Sequence, residues 1–138
     1  MGFGAVATVH GNVKLILADD VTVSSQYLGF WASSMTGEYS SLSVYGQAKQ
    51  TGTIHPSTTQ DLGHFQDFAQ YGGRIINSRG LSAENCKIAG GVFEAYILEV
   101  SDKIELGWSG WSDYIHVNNY SYNNTDPEIS VMEGKKLM

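Results

Sequence analysis

The chain has 138 residues, a formal net charge of −6 and only 16% charged residues, against the roughly 25% of an average globular protein. One domain spanning residues 1–138 is expected, since a chain of this length buries about two-thirds of its unfolded surface without staples. Its Lys and Arg residues stand singly except for Lys135-Lys136, so nothing tracks a phosphate backbone or an anionic bilayer, and nucleic acid and membrane surfaces are excluded as partners.

No apolar run approaches the ~18 residues of a membrane span, and no charged-then-apolar leader opens the chain, so a soluble domain without a signal peptide is expected. Cys86 is the only cysteine, which excludes an internal disulfide and a multi-cysteine zinc site. Gly, Ser, Thr, Asn and Tyr are abundant, the composition of strands and turns rather than of surface helices. The class expected is therefore all-β.

Along the chain, Val13 to Leu17 and Val21 to Val23 flank Ala18-Asp19-Asp20 and read as strand, tight turn, strand. Val13, Leu15 and Leu17 share one face, and because Ile16 on the other is also apolar, cover on both faces is expected. Tyr27, Leu28, Phe30 and Trp31 form an apolar patch ahead of a Thr36-Gly37-Glu38 turn. Ser41 to Gly46 alternates as a half-buried strand, and Thr53-Ile54 resumes an extended run ended by Pro56. Residues 57–71 carry helical spacing: Thr58 or Thr59 as cap, then Leu62, Phe65, Phe68 and Ala69 at i, i+3, i+6 and i+7. Gly72-Gly73 closes that segment.

Strands follow at Arg74-Ile75-Ile76, at Cys86 to Ile88, where Cys86 alternates with Ile88 as a small buried hydrophobe, and at Val92 to Val100. Ile104 to Trp108 and Tyr114 to Val117 come next, with Gly107 and Gly110 as bulges or turns. Turn chemistry from Ser121 to Pro127 precedes a final Ile129-Ser130-Val131 strand.

Three stretches carry a family resemblance. Gly11-Asn12-Val13-Lys14-Leu15-Ile16-Leu17-Ala18-Asp19-Asp20-Val21-Thr22-Val23 is the first. Ser41-Leu42-Ser43-Val44-Tyr45-Gly46-Gln47, closing on Thr51-Gly52-Thr53-Ile54, is the second. The third comprises Leu106-Gly107-Trp108, Asp113-Tyr114-Ile115, Asn119-Tyr120 and Glu133-Gly134-Lys135. Together they resemble gut-bacterial surface proteins with right-handed parallel β-helix or carbohydrate-binding-type modules. The middle of the chain departs from that pattern, with Gly73 to Ala83 as a single candidate repeat. The resemblance implies an extracellular or cell-surface setting and a short right-handed parallel β-helix, here with one short helix. Apolar runs at 13–17, 42–45, 74–76 and 92–100 recur at roughly the 20–30 residues of a solenoid rung, and the same spacing suits an antiparallel β-sandwich or a barrel.

The residues give no positive support for an enzyme. The carboxylate sets Asp19-Asp20, Asp61 with Asp67, Glu94 with Glu99, and Asp102 with Glu105 select no pair for glycoside hydrolysis, and Asp19-Asp20 suits a turn. His10, His55, His64 and His116 stand apart, so no metal or other cofactor is expected; on a helix, His64 would share a face with Asp61 or Asp67. Aromatic residues, at 12%, are the most informative feature. Trp and Tyr offer a flat apolar face with a polar tip, and the three-residue spacing of Trp108 and Trp111 puts them on opposite faces of a strand.

Trp108, Trp111, Tyr114, Tyr120 and Trp31 are therefore the expected ligand-binding residues. The leading expectation is a non-enzymatic binding or adhesion module for glycan or protein. A small-molecule-binding barrel or small enzyme, with a pocket of Phe65, Phe68, Tyr96 and His64, is the second. A structural subunit of a surface or phage fibre, a homo-oligomer pairing through strand edges, is the third.

Overall fold

The computed structural model describes residues 6–9, 11–24, 29–32, 41–55, 62–107, 113–121 and 128–131. Among them the chain is all-β, without a helix. Eleven strands belong to one sheet that curves around a single core: β1 (Val6–Val9), β2 (Asn12–Leu17), β3 (Thr22–Ser24), β4 (Gly29–Ala32), β5 (Ser41–Gly46), β6 (Thr53–His55), β7 (Gly63–Gln70), β8 (Arg74–Ile88), β9 (Val92–Leu106), β10 (Tyr114–Ser121) and β11 (Glu128–Val131).

Every pairing among the described strands is parallel, which no antiparallel sandwich shares. Parallel neighbours cannot be joined by a tight hairpin, so residues that pair lie well apart along the chain, Arg74 with Val92 and Val13 with Leu42. The first two show this. β2 and β3 do not pair with each other: β2 lies on β5 and β3 on β6, so Ala18-Asp19-Asp20 is a corner.

Register makes the recurrence visible. Asn12, Ser41, Asp67, Asn85, Lys103 and Glu128 follow one another as Cα partners from β2 to β11. Ser41 and Asp67 are 26 residues apart in the chain, and Asp67 and Asn85 are 18 apart. The next position forms an inward row in which Leu42, Phe68, Cys86 and Ile104 are buried and Val13 is partly buried. A second inward row runs Val23, Ile54, Ile75, Phe93 and Ile115. Phe68 bridges the rows, its ring 5.8 Å from that of Phe65 and 6.3 Å from that of Phe93. Burying each such side chain stabilises the fold by roughly 1.5–3 kcal/mol.

The helical spacing expected within 57–71 is strand from Gly63 to Gln70, and residues 57–61 lie outside the described residues. Phe65 and Phe68 both point inward, with Gln66 and Asp67 between them facing outward. A strand rounding a corner resets its in-out alternation, and the three-residue gap is that reset. Ala83 and Cys86 repeat it on β8, and Val100 and Ile104 stretch it by one residue on β9. The extra residue is the register shift between Ala83 and Asn85. The separate strands expected at 74–76 and 86–88 are accordingly one continuous β8, and Val92–Val100 runs on to Leu106.

The corners are stacked as closely as the strands. Thr53 N donates to Val21 O, Arg74 N to Gly52 O, and Val92 N to Gly73 O. This close approach explains Gly91, whose φ is +83° and where a Cβ would stand 2.3 Å from Gly73 O. At the first corner Asp19 accepts from Lys49 N and Thr51 N, while Asp20 accepts from Lys49 Nζ and Thr51 Oγ1, so this acidic pair fastens the link between β2 and β3 to the link between β5 and β6. Ile16, expected to be covered, is 63% exposed, because β2 has the core on one side and nothing described over the other.

Candidate functional site

The outer side of β9 and β10 carries a group of exposed aromatic and polar side chains. On β9, Phe93 and Ala95 turn inward, which sends Glu94 and Tyr96 outward. On β10, Ile115 and Val117 pack toward the core, which leaves Tyr114, His116 and Asn118 outside. Tyr96 is 55% exposed and Tyr114 is 44% exposed. His116 is the Cα partner of Glu94 on the neighbouring strand, so alternation on two registered strands produces one face.

The members of this face hold one another. The Tyr114 hydroxyl donates to Glu94 Oε1, and this bond, above all, raises the phenol above its ordinary range; the negative charge of Glu94 adds to the effect and the positive charge of Arg74 opposes it. His116 Nε2 lies 3.1 Å from Asn118 Oδ1. Along the two strands the Glu94–His116 level lies between Tyr114 and Tyr96, and Asn118 follows His116 on β10. Such a surface offers apolar faces for stacking and flanking groups that accept and donate hydrogen bonds.

Of the residues expected from sequence, Tyr114 stands on this face. Tyr120 is in β10 opposite Leu98, and Trp31 is in β4 opposite His64, both placed by backbone alone. Trp108 and Trp111 lie outside the described residues. From sequence, Tyr96 falls in the small-molecule pocket, Glu94 in a carboxylate set with Glu99 and His116 among the isolated histidines, while Asn118 is not singled out; the registration of β9 with β10 is what joins them.

The four-residue pocket of the small-molecule reading is not assembled. Phe68 lies in the core and Tyr96 faces outward on β9, while His64 and the mostly buried Phe65 border one groove on the outer side of β7, β8 and β9. Glu94 and Glu99 also part company, Glu94 meeting Tyr114 and Glu99 accepting from Ser82 Oγ at 3.1 Å. Asp67 accepts from Ser41 Oγ and Asn85 Nδ2 along its row, which is cross-strand stitching, and with β7 extended its pairing with His64 on a helical face does not arise. Burial pushes the Cys86 thiol up to about 12, as a small core hydrophobe requires.

A second aromatic group stands elsewhere. Tyr45 and Tyr71 stack with centroids 5.0 Å apart, Ile16 is the strand partner of Tyr45, and Lys87 Nζ lies 5.5 Å from the Tyr71 centroid. These rings spend their faces on each other and on the lysine, so the column ties β5, the residue after β7 and β8 together.

Among the described residues no group of three or more His, Cys, Asp or Glu is arranged to hold a metal ion. No family model, curated protein or solved structure matches the chain.

Proposed function

We propose that the chain is a non-enzymatic binding and adhesion module, built as a short right-handed parallel β-helix, that recognises carbohydrate on the outer face of β9 and β10. The observation that carries this reading is the Tyr114–Glu94 pair beside exposed Tyr96, with His116 and Asn118 on the same face. A sugar ring presents an apolar C–H face and a rim of hydroxyls, and this surface supplies aromatic faces next to a carboxylate and an amide.

The helical reading draws support from register. The first two of the three sequence stretches that resemble gut-bacterial surface modules lie directly on each other, Val13 opposite Leu42 and Val23 opposite Ile54. The corners also recur between the same parallel ladders. An extracellular or cell-surface setting follows from that resemblance alone.

A glycan array tests the function. Wild-type protein is expected to bind a restricted set of glycans, with Tyr114→Ala and Tyr96→Ala losing about tenfold or more and Lys14→Ala on a separate strand unchanged. An array with no hits, or hits indifferent to Tyr96 and Tyr114, would remove the basis for the proposal.

A further inference from the structure

We propose that a groove across the outer side of β7, β8 and β9 binds a single neutral sugar residue, giving the carbohydrate-binding surface a second contact; this rests on the carbohydrate reading above. His64, Ser82 and Glu99 are successive Cα partners on the three strands. The short Ser82 side chain between two long ones leaves a notch. With Glu84 and Ser101 the notch becomes a groove of about 190 Å³, with Ala83 and Val100 at its base. That is below the roughly 300 Å³ at which pockets begin to enclose drug-sized ligands, so one ring fits.

The lining selects the ligand. Ionised carboxylates only accept hydrogen bonds, and the Ser82 hydroxyl occupies one of roughly four acceptor positions on Glu99. The Glu84 and Glu99 carboxylates thus call for a ligand rich in donors, which the hydroxyls of a sugar supply. Charge-assisted bonds of this kind are about twice as strong as neutral ones. The same two charges, in a chain of net charge −6, repel uronic and sialic acids. β9 carries Glu94 and Tyr96 on one side of a corner, marked by inward Ala95 and Leu98 three residues apart, and Glu99 on the other, so the groove and the Tyr114 face lie on adjoining faces of the sheet.

Methyl β-glycosides of glucose, galactose, N-acetylglucosamine and glucuronic acid, titrated into the whole chain under NMR observation, test the site. At least one neutral glycoside is expected to shift the Ala83 and Val100 methyl signals while the glucuronide shifts neither. Glu99→Gln and Glu84→Gln should each weaken the neutral glycoside about tenfold with signal dispersion retained, and the double variant should narrow discrimination against the glucuronide. Unmoved Ala83 and Val100 signals with every neutral glycoside overturn the groove. If an array-positive oligosaccharide then still shifts Tyr96 and Tyr114, the groove alone fails; silence at both places removes the carbohydrate reading as well.

Discussion

Tyr114 on β10 donates its phenol proton to the Glu94 carboxylate on β9, and this bond between neighbouring strands raises the tyrosine above its ordinary range. A raised folded value means the bond's contribution is present below the ordinary tyrosine range and is lost as pH rises through the raised value. Ultraviolet titration of wild type minus Tyr114→Phe should isolate a phenol ionising above the ordinary range. Glu94→Gln should bring that phenol back down; a phenol that titrates normally in wild type would show that the bond does not form in solution.

Cys86 sits between Phe68 and Ile104 in an inward row, 2% exposed, with its thiol pushed up to about 12. Thiolate, the reactive form, is scarce there at neutral pH. A thiol reagent should leave the native protein unlabelled and label it stoichiometrically in denaturant. Rapid native labelling would place Cys86 at the surface and break the row.

Gly91 and Gly11 both have positive φ, +83° and +67°, but only Gly91 faces backbone at contact distance. Gly11→Ala should cost about 1–2 kcal/mol, the ordinary penalty for a side chain in that region. Gly91→Ala adds a clash with Gly73 O, so it should exceed that cost clearly or prevent folding. Chemical denaturation of the two variants checks the order.

At the first corner, the hydrogen bond from Lys49, and then that from Thr51, holds the Asp20 carboxyl below its usual range. A depressed folded value contributes stability above the ordinary aspartate range, lost as pH falls through the depressed value. The Lys49–Asp20 pair is well exposed, so its effect should be small and salt-sensitive. Comparing acid unfolding of wild type and Asp20→Asn at low and high salt should show a difference that salt erases.

Much of the architecture was legible because strand signals are local. Alternation found β2, β5 and the start of β9, and the polarity of Asp19-Asp20 marked a break between strands, read as a tight turn where the structure has a corner. What failed was the inference from spacing at 57–71, since a strand bending around a core and an amphipathic helix both bring inward residues three positions apart. Phe65 and Phe68 carry no mark that separates the two. The face of Tyr114, Glu94, Tyr96, His116 and Asn118 was illegible for another reason: its members lie on two strands joined only by register. Composition singled out the aromatics, yet only the pairing of β10 on β9 sets Tyr114 beside Glu94.

Both proposed surfaces depend on successive strands lying parallel, and through-space NMR contacts between side chains on β8 and β9 test this most directly. The parallel register places Ile75 beside Phe93, Leu81 beside Leu98 and Ile88 beside Leu106, and all three contacts should be observed. An antiparallel hairpin of the same strands about their connecting turn would instead set Ile75 opposite Glu105, Leu81 opposite Glu99 and Ile88 opposite Val92. Observing that second set in place of the first would contradict the fold and both surfaces built on it.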